Sequence, residues 1–115
     1  MSKRNDKLLI LDILDCIAKI QRYTMGYTMR EFSRDTKTID AVVRNIEIIG
    51  EAAKHLSRSI KSRINLPWKQ IIGMRNIIVH EYFGVDVKIV WMIVRSQLDE
   101  IKILFEKALS AADEL

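Results

Sequence analysis

Apolar side chains recur at alternating spacings of three and four residues along most of this chain, and this periodicity constrains its fold most strongly. Residues at such spacings fall on one face of an α-helix, because the helix turns once every ~3.6 residues. Three stretches follow the pattern, over residues 6–23, 36–59 and 87–111. Only four glycines and one proline interrupt the 115 residues, so the connections have to be brief. The pattern predicts long amphipathic helices.

The apolar stripes of these helices are the predicted core. They are Ile10, Ile13, Ile17 and Ile20 in the first helix, Ile39, Val42, Ile46, Ile49, Ala53 and Leu56 in the second, and Val87, Val90, Val94, Leu98, Ile101, Phe105 and Ala108 in the last. Gly50 lies within the second helix, where a glycine costs about 1 kcal/mol relative to alanine. We therefore expect another helix to approach Gly50 closely.

The connections carry recognisable end signals. Thr28 and Glu31 have the spacing of a capping box for a short helical turn between the first two helices. Pro67 favours the first turn of a third helix over residues 67–79, and Asp86 is suited to cap the last helix. Together these elements predict an all-α fold for a single domain spanning residues 1–115, an antiparallel four-helix bundle with one extra helical turn.

The segment "VKIVWMIV", residues 87–94, is apolar on nearly every face. A monomeric bundle needs only one buried stripe on each helix, so the surplus predicts a homodimer whose interface includes the surroundings of Trp91. The alternative is a helix that the bundle and its loops bury on all sides.

Composition sets the class of protein. Hydrophobic residues make up 49% and charged residues 30%, which is typical of a globular domain. The apolar N-terminal run is interrupted by Asp12 and Asp15, and no stretch approaches the ~18 uninterrupted apolar residues of a membrane span. The single Cys16 excludes a disulfide framework within one chain and is expected to be buried in a reducing compartment. We expect a cytoplasmic protein that does not contact a membrane.

One arginine lies where an apolar residue is expected. On a helical wheel Arg75 falls at the centre of the stripe formed by Ile71, Ile72, Ile78 and Val79. A guanidinium is expensive to bury without an anion. It either forms a buried salt bridge with a carboxylate of the second helix, such as Glu47 or Glu51, or faces a cleft and binds an anionic ligand.

His80 follows five residues after Arg75, at about 140° around the same helix. One straight helix cannot bring both side chains to one substrate atom, so either the helix ends near Val79 or two chains contribute to one site. Asn76 lies four residues before His80 and can orient its imidazole. His55 is expected to be an ordinary surface residue. No metal-binding spacing joins the two histidines, so neither a metal nor another cofactor is expected.

The residues around Arg75 and His80 give the spacing between them a more specific meaning. "RNIIVHEY", residues 75–82, resembles the Arg-x4-His-x-Tyr signature of the HepT toxins, a branch of the HEPN superfamily of helical-bundle proteins. Arg75, Asn76 and His80 match the wider family pattern in identity and order. The resemblance extends to "AVVRNIEIIGEAAKHL", "WKQIIGMRN" and "VWMIVRSQLDEI", and so covers most of the chain from Thr28 onward.

This resemblance implies a function and partners. Members of the family are expected to be metal-independent endoribonucleases that act on RNA as homodimers, with paired motifs lining a cleft. It implies Arg75 and His80 as catalytic residues, with Asn76 supporting them. It also implies a type VII-like toxin–antitoxin pair, in which an MntA-like nucleotidyltransferase antitoxin, either transiently or as a hetero-oligomer, transfers AMP to Tyr82.

Two other functions stay open on sequence alone. The chain is alternatively a non-catalytic HEPN module that binds nucleotide or docks a nucleotidyltransferase, or a helical dimerisation protein without chemistry. The alternative for Tyr82 is a half-buried aromatic residue that packs beside Phe83.

Overall fold

The computed structural model describes residues 5–74 and 84–113 of the chain. Every helix or strand element in these ranges is an α-helix, which confirms the all-α class. The four-helix count and the homodimer stay predictions. The helices are α1 (Asp6–Thr24), α2 (Met29–Arg34), α3 (Thr36–Lys54), α4 (Arg58–Arg63), α5 (Trp68–Ile72), α6 (Val87–Ser96) and α7 (Leu98–Asp113).

Helix α1 lies at the centre of the core, in contact with α3, α6 and α7. Its four stripe isoleucines, named above, are all 0% exposed. Asp6 at the start of α1 bonds Ser57 beyond the end of α3. Gln21 near the end of α1 bonds Asp99 near the start of α7, with 2.7 Å between Nε2 and Oδ1. Helix α1 therefore runs antiparallel to both long neighbours.

Two of the three predicted end signals are confirmed, while Pro67 lies at the N-cap position before α5 and not in its first turn. The Thr28 hydroxyl accepts from the Glu31 amide, and the Glu31 carboxylate accepts from the Thr28 amide, which completes the capping box at the start of α2. The Asp86 carboxylate accepts from the Lys88 and Ile89 amides at the start of α6. Such caps satisfy amides that the first helical turn leaves without partners.

The second helix ends earlier than predicted. Instead of continuing to residue 59, α3 ends at Lys54 and α4 begins separately at Arg58. Ser57 between them is extended, and its amide and hydroxyl donate to the Asp6 carboxylate at 2.9 and 2.5 Å. The Ser57 hydroxyl also accepts from the Ile60 amide. These bonds compete with helical continuation, and Leu56 of the predicted stripe stays buried nevertheless.

The last helix is also divided, contrary to the prediction of one helix over residues 87–111. It breaks at Gln97, where φ is −119°. Apart from their contact with each other, α6 packs mainly on α2 and α7 mainly on α1. The predicted third helix is likewise interrupted by a turn at Gly73, and its residues beyond Met74 lie outside the described ranges.

Helix α2 is held against α6 by aromatic and charged groups. The rings of Phe32 and Trp91 are 5.1 Å apart between centroids, and the Arg95 guanidinium lies 4.5 Å above the Trp91 ring. Arg95 also donates to the carbonyl of Tyr27. The Tyr27 hydroxyl donates to Asp35 at 2.6 Å, and this bond, with those from Thr38, lowers the pKa of the Asp35 carboxyl to about 2. Trp91 therefore packs against residues of its own protomer.

Cys16 is buried, as predicted. Burial and the neighbouring Asp15 raise the pKa of its thiol to about 11, so the reactive thiolate is scarce near neutral pH. Among the residues that the structure describes, no helix has the length and apolar character of a membrane span.

Candidate functional site

The four motif residues Arg75, Asn76, His80 and Tyr82 lie outside the described residues, in segment 75–83. The structure describes the residues on both sides of this segment, from α5 to Met74 before it and from Gly84 to α6 after it. These flanking residues are the two fixed points between which the motif segment runs.

The approach to the motif is firmly anchored by Trp68 at the start of α5. Its indole Nε1 donates to the carbonyl oxygens of Lys61 and Ile64, at 2.9 and 3.2 Å. Its ring packs edge-on against Phe105 of α7, with 5.8 Å between centroids. Met74, the last described residue before Arg75, is only 3% exposed. The residue that precedes the motif is therefore part of the core.

A close backbone contact positions α5 against α3. A Cβ atom at Gly50 would lie 3.2 Å from the carbonyl oxygen of Ile72 and 3.4 Å from that of Ile71. The predicted close approach at Gly50 is thus confirmed, and the neighbouring helix is α5. Any side chain at Gly50 would press on the backbone of the helix that leads into the motif.

The exit from the motif has its own constraint. Gly84 has a φ of +97°, a conformation that residues with a Cβ adopt only under strain. Two residues later, the Asp86 carboxylate accepts from the amides of Lys88 and Ile89 at 3.1 and 3.2 Å. The glycine supplies a backbone conformation that other residues rarely adopt, and the cap fixes the start of α6.

Residues from before and after the motif segment line one groove. Met74, just before the segment, and Ile89, shortly after it, line a groove of about 220 Å³ between α5, α6 and α7. Its lining is Pro67, Gln70, Ile71, Met74, Ile89, Met92, Ile93, Gln97 and Ile101. Described residues from before and after the motif segment therefore meet at the same apolar surface.

A second groove, of about 550 Å³, lies between α1 and α3. Arg44, Glu47, Glu51 and His55 line it with the apolar Leu9, Ile48 and Ala52. The Nε2 atom of His55 is 3.0 Å from Oε1 of Glu51, and both side chains are more than half exposed, so His55 is the surface residue that the sequence predicted. The polar residues of this groove recur at helical spacing in the sequence. No motif in the sequence marked them as a candidate site.

Sequence reasoning left open a salt bridge from Arg75 to Glu47 or Glu51. The Glu51 carboxylate already pairs with His55, and Glu47 is half-buried in the α1–α3 groove. Arg75 itself lies outside the described residues, so this alternative stays open. Among residues 5–74 and 84–113, no three His, Cys, Asp or Glu side chains are grouped as metal ligands.

Comparison with known proteins identifies the family. Residues 13–108 match the family described as "Ribonuclease HepT-like", a range that includes the whole motif segment and the groove lined by Met74 and Ile89. The chain belongs to the HepT-like ribonuclease family. It is thereby an enzyme of the HepT ribonuclease type, and the resemblance deduced from the sequence is confirmed.

Individual relatives agree with the family match. A protein of Methanocaldococcus jannaschii named provisionally as an RNase is 37% identical over 103 residues, which are 89% of this chain and 94% of the relative. A protein of Thermococcus cleftensis named as a probable ribonuclease HepT is 38% identical over 106 residues, which are 91% of this chain and 96% of the relative. No solved structure matches this HepT-like chain significantly.

The exit glycine gives a first testable prediction. We expect Gly84→Ala to lower the free energy of unfolding by about 1 kcal/mol, because a left-handed backbone is unfavourable for alanine. Because the strain adjoins the motif, RNase activity should also fall about tenfold or more. Chemical denaturation and RNA cleavage assays measure the two effects.

Gly26→Ala is the matched control. Gly26 also has a positive φ, of +76°, and like Gly84 it has no atom within 4 Å of the added Cβ. We expect Gly26→Ala to lose similar stability and to keep its RNase activity. Equal losses of activity in both variants would mean that Gly84 has no particular link to the motif.

Proposed function

We propose that this HepT-like chain is a metal-independent endoribonuclease whose active site is formed around Arg75 and His80. The observation that carries the proposal is the family match over residues 13–108, which spans the entire Arg-x4-His-x-Tyr sequence. The described flanks support it, since Met74 before the motif is buried in the core and Gly84 after it has a positive φ.

The residue types suit RNA cleavage by the ribose 2′-hydroxyl. The 2′-oxygen attacks phosphorus, the bond from phosphorus to the 5′-oxygen breaks, and a 2′,3′-cyclic phosphate and a 5′-hydroxyl result. One proton leaves the 2′-hydroxyl and one is added to the leaving oxygen. An imidazole is the usual side chain for such proton transfers, so His80 is suited to them. Arg75 offers a planar fork that stabilises the charge on the phosphorane oxygens.

Two protomers would supply two such motifs. In the proposed homodimer, paired copies of His80 face one cleft, so that one imidazole takes a proton while the other gives one. This arrangement also resolves the separation of about 140° between Arg75 and His80 on a single straight helix.

The proposed dimer surface includes the exposed side of α6. In the apolar segment 87–94, Val90, Ile93 and Val94 are buried, and Trp91 packs on Phe32. The protomer itself therefore covers much of the apolar surface that the sequence assigned to the dimer interface. Met92 remains 50% exposed beside the groove that Met74 and Ile89 line. A second protomer that covered Met92 would bring its own motif close to that groove.

The proposal extends to regulation. We propose that an MntA-like nucleotidyltransferase acts as the antitoxin of this endoribonuclease by transferring AMP to Tyr82. Attack of the phenolic oxygen on the α-phosphorus of ATP would form the phosphodiester and release pyrophosphate. The added group would bring bulk and a negative charge beside Arg75, which could bind the new phosphate in place of RNA.

Alanine variants of the motif test the catalytic assignment. Arg75→Ala and His80→Ala should each lose at least about 10²-fold in RNA cleavage and remain folded. Asn76→Ala should lose less. Arg75→Lys should restore activity only in part, because an ammonium lacks the bidentate geometry of the guanidinium. Cleavage of labelled RNA in EDTA measures activity, and circular dichroism measures folding.

Two outcomes would contradict this assignment. If Arg75→Ala unfolds, the arginine forms the buried salt bridge instead. If both alanine variants stay folded and cleave RNA at the wild-type rate, the active site lies elsewhere. A folded wild-type protein that cleaves no RNA but binds the nucleotidyltransferase would favour the docking subunit.

The oligomeric state is tested by Met92→Lys. If Met92 is covered in the dimer, an unpaired ammonium there should weaken association about tenfold or more, since burial of a charge is costly. Sedimentation velocity at micromolar concentration provides the measurement. Ile103→Lys is the control, because Ile103 on α7 is 55% exposed and outside the groove. A wild-type monomer at this concentration would end the proposal of a two-chain cleft.

The regulatory proposal is tested by Tyr82→Phe, which removes only the acceptor oxygen. Co-expressed with the nucleotidyltransferase, the wild-type protein should gain the mass of AMP and lose toxicity. The phenylalanine variant should stay unmodified and toxic. Intact-mass spectrometry and growth curves measure both properties, and an AMP group that persists on the variant would place the acceptor at another residue.

A further inference from the structure

The excess positive charge of the chain comes from one segment. The chain has 19 basic and 15 acidic residues. Between Glu51 and Glu81 there are six lysines and arginines and no acidic residue. The remainder of the chain therefore contains more acidic than basic residues, and the net charge of +4 is a property of this segment alone.

Five basic residues of this segment lie in the described part of the chain, on α3, α4 and α5, and we call them the basic rim. It consists of Lys54, Arg58, Lys61, Arg63 and Lys69. All but the half-buried Lys61 are exposed. The Lys61 ammonium donates to the Lys54 carbonyl at 3.1 Å, which joins α4 to the end of α3. The Trp68 indole donates to the Lys61 carbonyl, which joins α4 to α5. These two bonds thus hold together the three helices that carry the rim.

Nearby carboxylates leave the rim largely unneutralised. Asp6 accepts from the amide and hydroxyl of Ser57, and Glu51 pairs with His55. Within the described ranges, no carboxylate forms an ion pair with the exposed arginines of α4 or with Lys69. Adjacent cations without counter-charges repel one another and attract a polyanion.

The rim leads toward the motif. Lys69 lies in α5, five residues before Met74, which is the last described residue before the motif. Trp68, next to Lys69, anchors the start of this short helix to α4 and Ile64. A chain of phosphates that reached the end of α5 could continue over the rim without leaving the surface.

We propose that the basic rim binds the phosphates of RNA on one side of the cleaved bond. The choice of RNA as the polyanion rests on the proposed endoribonuclease function. Lysine and arginine contacts to phosphates position the nucleic acid without reading its sequence. The rim therefore gives affinity for long RNA and leaves the choice of base at the cleaved bond to other residues.

The salt dependence of RNA binding tests this assignment. In the rim variant Arg58→Gln/Arg63→Gln/Lys69→Gln, three phosphate contacts are lost, so the slope of log affinity against log salt should become about two shallower. At ~100 mM NaCl the affinity should fall about tenfold. Lys61 is left intact because its ammonium bonds the Lys54 carbonyl. The ligand is a labelled 2′-O-methyl RNA of about twenty nucleotides, which has no 2′-hydroxyl to react.

A matched control removes the same charge elsewhere. The control variant Arg30→Gln/Arg34→Gln/Lys37→Gln also changes three exposed cations, but in a stretch that includes Glu31 and Asp35. We expect its salt slope to stay close to that of the wild type. A further variant, Arg58→Lys/Arg63→Lys, should retain the wild-type slope, because phosphate neutralisation requires only the charge. Thermal melts establish that each variant is folded.

Cleavage assays separate the rim from the chemistry. The rim variant should lose about tenfold in kcat/KM on long RNA through KM, and almost nothing on a dinucleotide that cannot reach the rim. Wild-type protein that binds 2′-O-methyl RNA through the rim but cleaves no RNA would contradict the proposed function and leave the rim assignment intact.

Other results would overturn the rim assignment. These are an unchanged salt slope in the rim variant, an equal change in the control variant, or no binding of the RNA by wild type. Unchanged RNA binding together with lost capture of the nucleotidyltransferase would show instead that the rim binds an acidic protein surface.

Discussion

Between α3 and α5 the backbones are so close that a Cβ atom at Gly50 would crowd the carbonyl groups of α5. The carbonyl oxygens of Ile71 and Ile72 lie 3.4 and 3.2 Å from the position that a Cβ would occupy. This contact sets the position of α5 relative to the central pair α1 and α3. Since α5 leads directly to Met74, the same contact determines where the motif segment starts. The location of the candidate site thus depends on a glycine that has no chemical role.

The rest of the protein supports that contact from the other sides. Trp68 ties the start of α5 to α4 and to Phe105, and Asp86 fixes the start of α6 after the motif. The basic rim follows from the same connections, because Lys61 and Trp68 hold α3, α4 and α5 together. One set of hydrogen bonds therefore positions both the flanks of the motif and the charges that we assign to RNA binding.

Local signals in the sequence predicted much of the fold correctly. The stripes of α1 and α3 and the capping groups Thr28 and Asp86 are present in the structure because each depends on residues within a few positions of one another. The predicted continuity of two helices was wrong. At Ser57 the competing group is Asp6, 51 residues away, and at Gln97 the two halves pack against different helices. Periodicity describes one helix at a time and contains no information about such distant partners.

The sequence by itself determined the helical class, the buried faces and the residues of the motif, since helical period and side-chain chemistry are local properties. It also indicated, through Gly50, that a close contact exists. Only the tertiary structure decided that α5 is the partner in that contact and that Met74 and Ile89 meet at one groove. It likewise decided that Trp91 packs on Phe32 within the protomer. These facts depend on how separate helices pack, and that packing is set by the combined shape of all the buried faces.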